Sequence, residues 1–384
     1  MVSGQPQILS LRELEIQAGK RLPEVTSEYF ADGAGELQQT LRESVEAYAR
    51  YRLQPRVGRK ISLIDARTSI WGGTLSISNS HRFSAANDHK QSFLPIGIAP
   101  SAMHQLAHPD GELATSRASS SRGIPMILSQ SATASIEDVT SASLNDTRKL
   151  YAQQTTLVED WSANLALFRR AEKAGCKAVV LSVDCSVPGR RLGELRNGFV
   201  KPAHLTFPNI DYGDAPDLHT AKTERSPAVT FDRNVTWETY RRVVESTSLE
   251  VYLKGILTAE DALLAVAAGV HGIIVSAHGG RQLDGVVPPL GALPGMVDAV
   301  GGRIQVNVDG GIRQGSDVFK AFALGADFVW IGRPALWGLA YDGEQGVQLV
   351  IDLLTEELVN VMALCGAATL QDITRGHLGR YLQG

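Results

Sequence analysis

Cysteine is scarce in this chain, and long apolar stretches are absent from it. The three cysteines among 384 residues, Cys176, Cys185 and Cys365, have neither paired nor metal-ligand spacing, which argues against a disulfide framework or a cysteine-based metal site. No run of about 18 apolar residues occurs, and the N-terminus lacks a secretory signal. A cytoplasmic protein without a membrane partner is therefore expected. The final YLQG is not the usual peroxisomal signal, but a variant signal leaves that location open.

A charge run of one sign is also missing. The 37 basic and 41 acidic residues give a net charge of −4 and are spread along the chain, which argues against nucleic acid as a partner. Apolar residues make up 43% of the chain, enough for a sizeable core. We therefore expect a folded protein in which any anion binding is local.

Short apolar segments alternate with amphipathic ones from residue 94 onward, which is typical of a parallel sheet covered by helices. Eight such segments occur, at 94–100, 124–130, 149–153, 177–184, 250–256, 271–278, 303–311 and 327–334. Eight strands predict an α/β fold of the closed (β/α)8 TIM-barrel type. An open doubly wound sheet would show the same alternation, but the glycine-rich dinucleotide fingerprint is missing after the first strand.

The whole chain, 1–384, is predicted to form one domain. Residues 1–93 would be an N-terminal helical extension, with helices at Leu11–Gly19, Ser27–Ala31 and Gln38–Tyr51. Residues 94–340 would be the barrel core, and residues 341–384 C-terminal helices. The polar segment 203–236 after the fourth strand is too long for an ordinary connection, and we expect it to form a lid.

The ends of the last two strands carry an anion-binding pattern. Asp309, Gly310 and Gly311 end the seventh strand, and glycine lets backbone amides approach an anion before the next helix begins. Arg313 and Arg333 can add charged hydrogen bonds. Because the loops after strands seven and eight are the common phosphate site of this fold, a phosphorylated cofactor or substrate is predicted.

A proton-transfer pair is predicted where strands four and six end. His278 and Arg281 follow the sixth strand, where a histidine can act as a base and an arginine can bind a carboxylate. Asp184 ends the fourth strand and can orient that histidine. The three side chains should meet at the catalytic face of the barrel.

Further cations are expected at the same face. Arg190 or Arg191 can supply a second carboxylate contact, and the residues alone do not choose between them. Lys254, at the end of the fifth strand, can stabilise negative charge on a reduced cofactor. The pattern predicts an anionic substrate beside a redox cofactor.

Together these segments closely resemble the FMN-dependent 2-hydroxy-acid oxidase and dehydrogenase family, which includes glycolate oxidase and lactate oxidase. The resemblance runs through nearly the whole chain, and its specific parts are EYFADGAG (28–35), IGIAPSAMHQLAHPDGE (96–112), 181–191, KGILTAEDA (254–262), SAHGGRQLD (276–284) and 308–334. It implies FMN-dependent oxidation of an L-2-hydroxy acid to the 2-oxo acid. It also implies a homotetramer. Oxygen, a quinone or a protein could accept the electrons, and molecular oxygen, which gives hydrogen peroxide, is the acceptor we expect.

The resemblance also implies roles for individual residues. His278 would take the substrate proton and Asp184 would pair with it, while Arg191 and Arg281 would bind the substrate carboxylate. The other catalytic residues implied are Tyr29 and Tyr151, which would contact the carboxylate and hydroxyl, and Lys254, which would stabilise the flavin. The FMN-binding set implied is Ala99, Pro100, Ser101, Ser129, Lys149, Ser182, Lys254, Ser276, Asp309, Gly310, Gly311, Arg313, Gly332 and Arg333.

Three positions depart from the family pattern. Lys149 stands where the pattern has a glutamine near the flavin, and Ala277 replaces an asparagine beside the base. Ser131 stands where glycolate oxidase-like sequences carry a tryptophan near the substrate side chain. The small serine predicts a roomier pocket, suited to aromatic or longer aliphatic hydroxy acids.

Two other interpretations of the sequence are open. One is an FMN-barrel isomerase, or another phosphate-binding barrel enzyme, that keeps the cofactor site without hydroxy-acid chemistry. The other is a catalytically silent flavin-binding homologue. The combination of His278, Arg281 and Arg191 favours hydroxy-acid oxidation over both.

Overall fold

Eight parallel strands close into a barrel in the computed structural model, which describes residues 7–66, 68–71, 73–74, 94–143, 150–210 and 231–380. Each strand pairs with its neighbours in chain order, and the last pairs with the first. The barrel strands are β1 (Ile96–Ile98), β2 (Met126–Leu128), β3 (Tyr151–Thr155), β4 (Ala178–Ser182), β5 (Glu250–Ile256), β6 (Gly272–Val275), β7 (Gln305–Asp309) and β8 (Phe328–Ile331). The predicted (β/α)8 barrel is confirmed. Seven of the predicted segments contain one strand each, and β3 runs two residues beyond the predicted end at 153.

Three helices precede the first barrel strand, eight lie between successive strands and one follows the last strand among the described residues. They are α1 (Leu11–Gly19), α2 (Glu24–Ala31), α3 (Gln39–Glu46), α4 (Gly111–Ser121), α5 (Ile136–Ser141), α6 (Trp161–Lys173), α7 (Leu192–Asn197), α8 (Trp237–Ser246), α9 (Ala259–Ala267), α10 (Pro289–Val300), α11 (Gly315–Ala323) and α12 (Arg333–Cys365). Side-chain caps fix several of their starts. Asp160 caps α6 and Thr258 caps α9, because each accepts a hydrogen bond from a backbone amide of the first turn.

The predicted helix bounds need small corrections. The first helix matches its prediction, and α2 begins at Glu24, earlier than expected. The third predicted helix is split, because α3 ends at Glu46 and a 3₁₀ turn, Ala47–Arg50, replaces its last part. The long helix α12 is broken at Gly343, where φ is +55°.

Residues on each strand alternate between the barrel interior and the helix layer. On β4 the interior side chains are Ala178 and Val180, followed by Ser182 at the C-terminal end. Trp71, from the N-terminal extension, lies at the opposite end of the interior and stacks on Trp330 with ring centroids 5.5 Å apart. The interior is therefore filled by apolar side chains below and opens into a polar mouth above.

Two further strand pairs are separate from the barrel sheet. Tyr51–Leu53 forms an antiparallel pair with Leu378–Arg380. A second pair joins Ser69–Ile70 to Gly73–Thr74. Among the residues with described structure, every helix is too short or too polar to cross a membrane.

Candidate functional site

A cavity of about 200 Å³ opens at the C-terminal ends of the barrel strands. The structure brings most of the predicted site residues to its wall. Those lining it are Tyr29, Ala99, Pro100, Ser101, Ser129, Ser182, Arg191, Lys254, His278, Arg281, Asp309, Gly310, Gly311, Arg313, Gly332 and Arg333. Phe231, from the described end of the predicted lid, also lines it, whereas residues 211–230 of that segment lie outside the described residues.

His278 and Asp184 form a hydrogen-bonded pair at this mouth. His278 Nδ1 lies 2.9 Å from Asp184 Oδ1, and the carboxylate lies behind the ring rather than on the cavity wall. Burial alone would raise the pKa of Asp184, but the histidine and nearby Lys254 outweigh it and lower that pKa below its ordinary value. An ionised carboxylate at Nδ1 fixes the ring so that its other nitrogen can exchange a proton.

The backbone around His278 is unusual. His278 has φ +53° and is followed by Gly279 and Gly280, whose φ values are +64° and +73°. The His278 amide donates to Ser276 Oγ at 3.1 Å, which anchors the start of this turn. A non-glycine residue in the left-handed region is costly and common at functional sites, where the surrounding structure holds it in place.

Lys254 is a buried cation, with only 4% of its surface exposed. Its Nζ lies 3.1 Å from Asp309 Oδ2 and donates to Ser276 Oγ at 2.9 Å. Burial would lower its pKa, but the charges of Asp309 and Asp184 outweigh burial and raise it. The strand is irregular at the next residue, Gly255, where a Cβ atom would collide with Asp184.

Two arginines form the rim beside His278, and one carboxylate lies behind them. Arg191 Nε lies 2.8 Å from Glu194 Oε1, and Arg281 Nη2 donates to the same oxygen at 3.0 Å. Arg281 Nη1 donates to the backbone oxygens of Tyr29 and Asp32, and its guanidinium lies 4.9 Å from the Tyr29 ring centre. Of the two predicted alternatives, Arg191 rather than Arg190 faces the cavity.

A second group of cations surrounds the ends of β7 and β8. Arg333 is the first residue of α12 and donates to the backbone oxygens of Phe30, Asp32 and Gly279. Burial and the nearby charges of Arg281 and Arg313 lower its pKa to about 9. A helix N-terminus combined with crowded buried arginines stabilises a bound anion.

The residues present fit FMN. Gly311 has φ +79° and packs so closely on the backbone of Ser44 that a Cβ could not fit, which leaves the loop backbone beside Arg313. Asp309 Oδ1 is buried and has no hydrogen-bond partner among the described residues, so it can accept from a cofactor hydroxyl. Two arginines suit a phosphate, and Lys254 suits an anionic ring system.

Tyr151 is wrongly predicted as a substrate contact. It begins β3 and points outward into the helix layer, where its hydroxyl lies 2.7 Å from Ser116 Oγ of α4. Side-chain alternation instead directs Gln154 and Thr156 into the cavity. The predicted flavin contact Ser276 is fully buried behind Lys254 and does not line the cavity. Lys149 lies outside the described residues.

Several wall residues were missed from the sequence. Gln154 Nε2 donates to Ser182 Oγ at 3.1 Å, and Gln130 Oε1 accepts from the Thr156 amide at 2.8 Å. Thr156 Oγ1 lies 3.0 Å from Cys185 Sγ. Strand alternation places Gln154 and Thr156 on the face of Ala152, which the structure shows packed inside the barrel.

Asp184, Cys185 and His278 are also close enough to hold a metal ion, with one ligand atom from each lying within 4.8 Å of the others. Burial and the charge of Asp184, however, raise the pKa of Cys185 to about 12. Because thiolate rather than thiol binds metals, and the cation of Lys254 is nearby, proton transfer suits this cluster better than metal binding.

The fold and this mouth define a barrel enzyme that binds a phosphorylated cofactor. Residues 18–380 match the family model described as FMN-dependent dehydrogenase, so the chain belongs to that family and FMN is its cofactor. It is 40% identical to the oxidase FUB9 of Fusarium oxysporum f. sp. lycopersici, covering 98% of this chain and 92% of that protein. It is 41% identical to glycolate oxidase 1 of Oryza sativa subsp. indica, covering 97% of this chain and 96% of that protein.

Solved structures give the same result. A mandelate oxidase with (S)-4-hydroxymandelic acid superposes with a TM-score of 0.85 at 37% identity, covering 98% of this chain and 99% of the other. A mutant mandelate oxidase with (S)-mandelic acid superposes with a TM-score of 0.84 at 36% identity, covering 98% of this chain and 100% of the other. The predicted membership of the FMN-dependent 2-hydroxy-acid oxidase family is confirmed.

Proposed function

We propose that this enzyme oxidises an L-2-hydroxy acid with a large side chain to the 2-oxo acid, with molecular oxygen as final acceptor and hydrogen peroxide as second product. The observation that carries the proposal is that His278, Arg191 and Arg281 all line one cavity. A base beside two cations suits a substrate with a carboxylate next to the carbon that loses hydrogen.

Arg191 and Arg281 bind and orient the substrate carboxylate. Arginine presents paired donors that match the two carboxylate oxygens, which fixes direction as well as position. Tyr29, on the same rim, contacts the substrate carboxylate or hydroxyl. Bound in this way, the substrate directs its hydroxyl-bearing carbon towards His278.

His278 is the general base. Its Nδ1 donates to Asp184 Oδ1, so its Nε2 accepts the proton that the substrate releases. The resulting imidazolium is stabilised by the carboxylate of Asp184. FMN, when bound, would accept the two electrons, and Gly311, Arg313, Gly332 and Arg333 would hold its phosphate.

The side-chain pocket takes an aromatic or longer aliphatic substituent. Ser131, Thr156 and Cys185 contribute small side chains to this part of the cavity wall. Mandelate oxidases among the structural relatives act on aromatic hydroxy acids by name, which is consistent with this preference. A substrate profile that peaks at glycolate would contradict it.

The decisive experiment is an anaerobic visible spectrum of the purified holoenzyme during addition of L- and D-2-hydroxy acids, from glycolate to mandelate. Bleaching of the flavin band by L-mandelate or a long aliphatic L-acid is expected. Readmission of air should restore the band and release hydrogen peroxide. If no hydroxy acid bleaches the flavin, the proposed reaction is wrong; if air does not restore the band, oxygen is not the acceptor.

A homotetramer and a cytoplasmic location accompany this proposal. Light scattering of the holoenzyme should give four times the mass of the 41.3 kDa chain. Imaging of the tagged protein should give a diffuse cytoplasmic signal, and a punctate peroxisomal signal would overturn the location.

A further inference from the structure

Glu194 lies within ion-pair distance of both arginines at the rim, Arg191 and Arg281. It lies in the first turn of α7, three residues after Arg191, so the local helical geometry directs both side chains to one face. Only 7% of Glu194 and 6% of Arg191 is exposed. Burial of a carboxylate this deeply is costly unless cations and hydrogen bonds compensate it.

We propose that Glu194 is a positioning residue for substrate recognition: its Oε1 holds the guanidinium groups of Arg191 and Arg281 together as one carboxylate-binding unit. Each guanidinium group has a nitrogen within 3.0 Å of that single oxygen. The inference rests on the proposed function, since the carboxylate bound by this unit is the substrate's. Glu194 itself does not line the cavity, and it acts through the two arginines.

The contacts of Glu194 fix the direction in which each arginine presents its remaining nitrogens. Arg191 forms an ion pair with Glu194 through Nε, although the two atoms are not aligned for a hydrogen bond, and Arg191 also lines the cavity. Arg281 directs Nη1 to backbone oxygens and Nη2 to Glu194. Loss of the shared oxygen would allow Arg191 to move away from its partner while both positive charges stayed in the site.

The charge of Glu194 also raises the pKa of Arg191. Burial and the nearby Arg281 lower the pKa of Arg191, and Glu194 opposes both. The other charged or titratable groups around this unit are Glu28 and Asp32 at the end of α2, Tyr29, which also raises the pKa of Arg191, and Arg333, which faces Arg281. These groups stay in place when Glu194 is replaced.

The test compares the holoenzyme with Glu194→Gln, which removes the charge, and with Glu194→Asp, which keeps the charge but withdraws the oxygen. Glu137→Gln is the matched control, because Glu137 pairs with Arg170 on the surface. Anaerobic rapid mixing with the best L-2-hydroxy acid gives the flavin reduction rate and the substrate Kd from neutral to alkaline pH.

In Glu194→Gln we expect a roughly 10- to 100-fold slower reduction rate, because misplacement by about 1 Å costs this much. The substrate Kd at neutral pH should change less, since both cations remain. The loss of substrate binding at alkaline pH should begin at a lower pH than in the wild-type enzyme. Glu194→Asp should reduce the flavin slowly, but its loss of substrate binding at alkaline pH should begin at the same pH as in the wild-type enzyme. Glu137→Gln should match wild type.

Wild-type rate and pH profile in Glu194→Gln would overturn the inference while leaving the proposed function intact. If Glu194→Gln fails to bind FMN, Glu194→Asp decides, and a wild-type rate in that variant overturns the inference. A wild-type enzyme whose flavin no hydroxy acid reduces would overturn the proposed function and this inference with it.

Discussion

The two ends of the barrel interior are built from the same strands but contain opposite chemistry. On β6 the interior residue Ile274 is followed by Ser276 and then His278, and on β5 Tyr252 is followed by Lys254. The lower end is largely apolar, while the upper end holds buried charges that compensate one another. The comparison teaches that one strand can supply stability at its start and reactivity at its end, because successive interior positions are only two residues apart in sequence.

The largest effect should come from breaking the upper end at His278. His278→Ala should keep FMN but slow flavin reduction by about 10²–10⁴-fold, the usual contribution of a general base. The control is His271→Ala, because His271 precedes the same strand at the opposite end, where its Nδ1 accepts from the Val251 amide. Rapid mixing measures both variants, and undiminished reduction in His278→Ala would refute its role as base.

Breaking the lower end should affect stability instead. Phe328 is fully buried, with its ring 4.9 Å from that of Trp330, so Phe328→Ala should lower the free energy of unfolding by about 3–5 kcal/mol. The reduction rate of the folded enzyme should stay near wild type. Leu364→Ala, at a 69% exposed position, is the control in urea unfolding. A loss of rate matching that of His278→Ala would show that the two ends are not separable.

At the upper end, Ser131 is expected to set the preference for the substrate side chain. Ser131→Trp should fill part of the pocket and shift preference from mandelate towards glycolate by at least about tenfold in kcat/KM, as expected for steric changes in an apolar pocket. Ser131→Ala should keep the wild-type preference. Equal losses for both acids would indicate that Ser131 does not contact the substrate side chain.

The smallest effects distinguish the two tyrosines of the predicted site. Tyr151→Phe loses one buried hydroxyl contact with Ser116 and should cost about 1 kcal/mol of stability in urea unfolding without changing the reduction rate. Tyr29→Phe, at the cavity, should lower kcat/KM in steady-state assays by up to about tenfold. Reversed outcomes would mean that Tyr151, not Tyr29, meets the substrate.

Most of the fold could be predicted from the sequence, because eight apolar segments separated by helical periods leave few alternatives. The ends of β4, β6 and β7 could also be predicted, since charged residues directly follow apolar strands there. The interior face of β3 could not be predicted. Leu150, Tyr151 and Ala152 are all apolar or aromatic, so the segment lacks the alternation that reveals which residues point inward, and the prediction for Tyr151 places it on the wrong face.

Glu194 was missed for a different reason. It belongs to a short helix beyond β4, and nothing local distinguishes it from a surface glutamate on a helical turn. Its burial depends on Arg281, which lies far away in the sequence and reaches it only when β4 and β6 share one mouth. Contacts between residues this far apart in the sequence can be identified only from the structure of the closed barrel.

The antiparallel pairing of Tyr51–Leu53 with Leu378–Arg380 has a consequence for synthesis of the protein. The first of these segments leaves the ribosome before any barrel strand, and the second follows the last strand, so the entire barrel is translated between them. Their pairing therefore has to wait until translation is nearly complete. Contacts between segments so distant in sequence form slowly, so the early segment stays unpaired while the barrel is being made.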